Sequence, residues 1–235
     1  VHSNKYVFLY TLVLTTVVAV VLAFLATSLK PMQLKNEALF KKKDILSAID
    51  PKMAELPDDE VEETFASIKQ LVIDSEGNLV DGVKAEKIDM AKEEKKPKAE
   101  RIYPLYVYDN NGEDYYITSM RGNGLWDKIW GSVALQNDLR TIVGVTFDHT
   151  GETPGLGAEI KDNSDFKKNF IGDKIYNDET GEYLNVRKGG QRDDPQYAQY
   201  EVDGISGATV TADGVTAMIR NGMGPYLEYF YKIKE

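Results

Sequence analysis

Between Lys5 and Lys30 the chain runs for 24 residues, Tyr6 to Leu29, without one charged side chain. A helix rises ~1.5 Å per residue, so a segment of this length spans a hydrocarbon core of ~30 Å. The run is too long for an ordinary signal-peptide core, and no convincing small-x-small cleavage site follows it. Nothing else in the 235 residues is large enough to wrap such a helix as a buried core element. The sequence therefore predicts one membrane anchor with a folded region behind it. Lys30, Lys35 and Lys41 to Lys43 follow the span while only Lys5 precedes it, and the positive-inside rule taken alone places that region in the cytoplasm.

Charge and composition remove several function classes. Net charge is −10, from 38 acidic and 28 basic residues, and no basic run is interleaved with stacking aromatics. Nucleic acid is not an expected partner. There is no cysteine, hence no thiolate cluster, catalytic thiol or disulfide on this chain. The two histidines, His2 and His149, lie in unrelated segments, so no metal site is expected. Redox chemistry must come from an organic cofactor or from another chain.

Residues 34–49 carry an imperfect helical stripe closed by Pro51, and a short helix is expected from Asp59, as N-cap, to Ile68. Residues 71–82 read as strand, turn, strand. Lys84 to Glu100 is mostly charged and reads as a solvated connection or an exposed strand edge. Residues 101–120 predict two strands around Asn110-Asn111-Gly112, and 141–149 another. Glycine-rich loops occupy 121–125 and 150–157. An amphipathic helix runs from Thr211 to Lys232, divided at Gly224-Pro225. Strands with segregated helices make the fold class α+β. The expected divisions are an anchor (1–33), a membrane-proximal region with the charged connection (34–100) and a main domain (101–235).

Three segments carry chemistry. In Asp203-Gly204-Ile205-Ser206-Gly207-Ala208-Thr209-Val210-Thr211, the small residues Ser206, Gly207 and Ala208 admit a bulky group, Thr209 presents a hydroxyl, and Thr211 suits a helix N-cap. Helix-start amides nearby favour a phosphate. On spacing alone these residues equally describe a tight loop that starts a helix. In His149-Thr150-Gly151-Glu152-Thr153-Pro154-Gly155-Leu156-Gly157-Ala158-Glu159-Ile160 a dinucleotide loop is ruled out by spacing. Pro154 stiffens this loop, which resembles the H-x-E-T-P-G-L-G loop that lies against the flavin ring in FMN-binding domains. The resemblance implies that Gly155 and Gly157 admit the flat ring, that Leu156 packs on its face, and that Thr153 and backbone amides bond its polar edge. Glu152 is either an acceptor for a ring N–H or a structural cap, and His149 a hydrogen-bonded loop residue. In Gly122-Asn123-Gly124-Leu125-Trp126-Asp127-Lys128-Ile129-Trp130-Gly131, Trp130 is expected in the core, and the resemblance of this G-x-G-L-W stretch to the segment beside the flavin in the same family implies that Trp126 packs near the ring.

The segment DGISGATVT resembles the flavinylation motif of FMN-binding domains. The H-x-E-T-P-G-L-G loop and the G-x-G-L-W segment are similar to the loops that flank the flavin in the same family. The resemblance implies covalent FMN, joined by a phosphoester to Thr209 and installed from FAD by a separate Mg-dependent flavin transferase. Thr209 is then an attachment point, and no catalytic residue is assigned. Over nearly its whole length the chain resembles the C-subunit family of bacterial Na⁺-translocating NADH:quinone oxidoreductases. The G-subunit family of the ferredoxin:NAD (Rnf) complexes, with the same flavin domain, is the alternative, and a non-catalytic membrane-tethered flavin protein a third reading. The C-subunit resemblance implies a place in a six-subunit inner-membrane complex, with the flavin domain on the periplasmic face, against the local charge count. It further implies electron relay from an iron–sulfur centre to another flavin while NADH oxidation, reduction of ubiquinone or another quinone, and sodium export are coupled.

Overall fold

The structure, a computed structural model, describes residues 3–187 and 198–234; His2 lies outside them. The chain divides into two compact units, residues 1–41 and 42–235. The division falls within the first helix.

In the first unit, every residue from Tyr6 to Leu29 is exposed along helix α1 (Asn4–Ser47), which is long and apolar enough to cross a membrane. Nothing interrupts the helix at residue 33: it runs through Pro31 to Ser47. Its buried residues, Ile45 and Leu46, belong to the second unit.

The second unit is built on a five-stranded antiparallel meander, β1 (Lys69–Asp74), β2 (Ile102–Asn110), β3 (Glu113–Asn123), β4 (Lys128–Leu135) and β5 (Ile142–His149), in sequence order. The β2–β3 hairpin turns where expected, on Asn111 (φ 56°) and Gly112 (φ 93°), the left-handed pair a two-residue turn demands. Helices α6 (Thr209–Gly222) and α7 (Gly224–Lys234) cover one face, separated at the expected Gly-Pro. Their Val215, Met218, Ile219, Tyr226 and Phe230 join Leu105, Met120, Ile129, Val133 and Phe147 in the main core. On the other face the last turns of α1 and helix α2 (Asp58–Ser67) pack, with Phe65 against Tyr106 at 5.7 Å between ring centres. Burying a Phe, Leu or Met side chain in such a core contributes roughly 1.5–3 kcal/mol.

Short elements fill the edges: α3 (Met90–Glu93), α4 (Glu159–Asp162), α5 (Ser164–Lys168) and a parallel pair, β6 (Asn185–Arg187) with β7 (Glu201–Asp203). The mixed α+β class is as expected; several local expectations are corrected. Pro57 occupies the N-cap of α2 in place of Asp59. The second strand of 71–82 reduces to a single bridge, Ile73 to Leu79. The charged stretch 84–100 keeps most of its charged residues in solvent, as expected of a solvated connection, but it is more ordered than a plain linker. It folds into α3 and two 3-10 turns, buries Ala85, Ile88 and Glu93, and ties Glu94 to Lys128 and, at 3.4 Å, to Arg121.

Candidate functional site

All three chemistry-bearing segments end at one place. The loop between β3 and β4 (124–127), the loop after β5 (150–158) and the start of α6 surround a 130 Å³ cavity. Its lining includes Glu152, Thr153, Leu156, Gly157, Gly207, Ala208 and Thr209, as the sequence leads one to expect, and adds Leu125, Val210 and Thr211. Ser206 and Gly155 are exposed just outside it, and Trp126 reaches it through Thr153: the indole Nε1 donates to Thr153 Oγ1 at 3.1 Å. Larger cavities of 470 and 640 Å³ exist elsewhere, but no residue singled out as a flavin contact lines either. Convergence, rather than volume, selects the site.

Thr209 is the first residue of α6, half-buried, with Ala208 before it as an N-cap that makes no side-chain bond. Thr211, expected as the cap, lies inside the first turn of the helix and is buried. The first amides of a helix have no intrahelical acceptor and point outward at its positive end. Gly207 holds φ at +81°, and a Cβ there would stand 2.9 Å from Leu156, so the two loops touch.

Thr211 Oγ1 donates to Glu152 Oε2 at 2.6 Å, and the Trp126 amide donates to Oε1 at 3.0 Å. Burial pulls the Glu152 carboxyl up, but the bonds from Thr211 and from the amides of Trp126, Asp127 and Leu125 outweigh it and hold the group below the usual carboxylate range. Of the two roles open to Glu152, the protein's own donors realise the structural cap. The Glu152 amide donates to His149 Nδ1 at 3.1 Å, which makes His149 the hydrogen-bonded loop residue foreseen.

The rim is apolar and open. Leu125 is 48%, Trp126 69%, Leu156 42% and Val210 52% exposed. Trp126 is thus no core residue. Trp130, expected in the core, is only half-buried, lying under the Arg121 guanidinium at 5.2 Å. The cavity is well below the roughly 300 Å³ at which ordinary ligand pockets begin. It suits the phosphate end of a flavin, with the flat ring left to lie across the exposed apolar rim. The residues present fit FMN.

Comparison with known proteins agrees. The FMN-binding domain family matches residues 124–224, which hold all three segments' cavity residues. The C-subunit of the Na(+)-translocating NADH-quinone reductase of Pseudomonas aeruginosa is 33% identical over 95% of this chain and 92% of its own length. The chain belongs to that C-subunit family. The family's member from Haemophilus ducreyi is 32% identical over 92% of this chain and 90% of its own. The crystal structure of the member from Parabacteroides distasonis superposes with a TM-score of 0.72 at 32% identity, over 86% of this chain and 96% of that one. NqrC of Shewanella oneidensis, at 23% identity, shares the fold with a TM-score of 0.73, over 85% and 99%.

The sequence of this family member shows most of the site. Leu125, Val210 and Thr211 are the cavity residues it does not declare as site members. A signal exists for Thr211: it sits four positions before Val215 on the buried stripe of α6, where an unbonded hydroxyl is costly.

Proposed function

We propose that this chain is the electron-carrying subunit of a Na⁺-translocating NADH:quinone oxidoreductase and holds FMN as a phosphoester on Thr209. The observation that carries this reading is the meeting of three separate segments around the Thr209 end of α6. In the attachment step the Thr209 oxygen bonds to the flavin-side phosphorus of FAD. The hydroxyl proton is released, the pyrophosphate bond breaks and AMP leaves, on a transferase that brings Mg²⁺.

Bound there, FMN supplies one-electron redox chemistry. The chain's residues would do the holding: the first α6 amides would face the phosphate, a helix-end interaction of about 0.3–1 kcal/mol for an exposed anion. Leu125, Trp126, Leu156 and Val210 keep water from the ring. The Thr153 oxygen accepts from Trp126 and leaves its own proton for the ring's polar edge. α1 anchors the chain in the inner membrane, the flavin domain stands on the periplasmic side, and electrons arrive from and leave to centres on the other five subunits. NADH oxidation, quinone reduction and sodium export belong to the complex.

Mass spectrometry of the tryptic peptide containing Thr209, from chain made together with a flavin transferase, tests the linkage. A mass gain of FMN less one water is expected, and Thr209→Val abolishes it. An unmodified wild-type peptide, or the same gain on the Val variant, overturns the assignment.

A further inference from the structure

Glu152 is buried, 4% exposed, and carries a charge that no lysine or arginine balances among the described residues. Two other buried carboxylates are ion-paired: Asp148 with Lys161 at 2.9 Å and Glu93 with Lys96 at 2.8 Å. An unpaired buried anion is expensive unless dipoles replace the missing counter-ion. Here they do, through the Thr211 hydroxyl and the amides of the 125–127 turn. Two glycines make room for it. A Cβ on Gly124 would stand 2.4 Å from Glu152 Oε1, and one on Gly157 would stand 2.4 Å from both Glu152 Oε2 and Thr211 Oγ1. The backbone on both sides is shaped to admit this carboxylate, and the carboxylate lines the same cavity as Thr209.

We infer that Glu152 is the positioning residue of the site: one carboxylate clamps the start of α6 to the 124–127 loop, and its fixed negative charge lowers the reduction potential of a flavin held on Thr209. The clamp joins the helix that carries the attachment hydroxyl to the loop that carries Leu125 and Trp126, the rim of the ring site. A negative charge at short range in a partly dry site disfavours adding an electron to the ring. Glu152 acts through position and field, with both oxygens occupied by protein donors. The inference rests on the flavin reading above.

Full-length chain co-expressed with the transferase is assayed two ways, by in-gel flavin fluorescence for covalent loading and by spectroelectrochemical titration at pH 8 for the midpoint potential. Glu152→Gln keeps one acceptor for the amides and can donate to Thr211, so loading stays within about twofold of wild type. Its potential rises, because the charge is gone. Thr211→Val keeps the charge but removes its strongest neutralising donor, so the potential falls. Opposite signs are the signature of a field. A purely structural role loosens the site in both variants, lets in water and moves both potentials the same way. Equal potentials in wild type and Glu152→Gln, or shifts of one sign in both variants, overturn the inference while leaving covalent FMN intact. Wild type that takes no flavin overturns the function reading, and this inference with it.

Discussion

Pro104 sits in β2 with no N–H to give its neighbour, and the β2–β3 pairing stops one step before it, at Leu105 with Thr118. Tyr226 of α7 fills the gap. Its hydroxyl accepts from the Ser119 amide at 3.2 Å and lies 2.9 Å from both Pro104 O and Ser119 O. Burial drives its pKa far up, so it remains a neutral donor. Tyr226→Phe leaves these groups unpartnered and should cost about 1–3 kcal/mol in urea denaturation, with flavin loading unchanged; a cost near zero would mean that water replaces the hydroxyl. At this scale the sequence is most informative where chemistry needs a particular residue type. Thr209, Thr153 and Leu156, singled out from their motifs, all line the one cavity. Trp130 misleads because a tryptophan in an apolar run reads as core, whereas Arg121 lies over its face and leaves it half exposed. Val210 is invisible for the converse reason: an exposed apolar residue at the first turn of a helix has no periodicity to declare it.

The end of α1 and the sheet meet at a partly buried acid. Burial pushes Asp44 up to about 6, the Asp148 charge adds to this, and hydrogen bonds from Thr146 and Ser132 with the nearby Lys167 oppose it. A carboxyl whose folded pKa exceeds its unfolded value near 3.9 binds more protons in the fold. Its stability contribution is full below about pH 4 and is lost as pH rises through about 6. Asp44→Asn should therefore match wild type near pH 4 and exceed it by about 2–3 kcal/mol at pH 7.5. Paired urea titrations at both pH values check this, and equal stability of the two proteins at pH 7.5 contradicts it. Elements are legible in proportion to their one-sidedness. The α6–α7 pair exposes one face, so its period shows, and the β2–β3 hairpin is declared by its Asn-Asn-Gly turn although β2 is buried from Tyr103 to Val107. β4 does not read as a strand because Ile129 and Gly131 to Leu135 are buried without alternation, between the main core and the turns that carry Asp44. The 84–100 stretch is legible as solvated from its charges, but its turns are not, because they are fixed by a few contacts such as Lys96 with Glu93 and, from β4, Lys128 with Glu94.

At the scale of the molecule, one apolar helix and one α+β unit are joined in a chain without cysteine. That absence gives a clean test of sidedness. Ser67→Cys, at an exposed position on α2, creates a single thiol. A membrane-impermeant maleimide should label it in intact cells if the flavin domain is periplasmic. Labelling only after lysis would restore the cytoplasmic placement that the flanking lysines suggest. Architecture at this scale is readable from the uncharged run and the motif order. The boundary between the compact units is not, because α1 continues through Pro31 and buries its last turns in the second unit. Covalent carriage at Thr209 is tested most directly by ultraviolet fluorescence of the denatured chain after electrophoresis, from cells that contain the transferase. A fluorescent wild-type band and a dark Thr209→Val band are expected; a dark wild-type band, or fluorescence that survives the substitution, contradicts it.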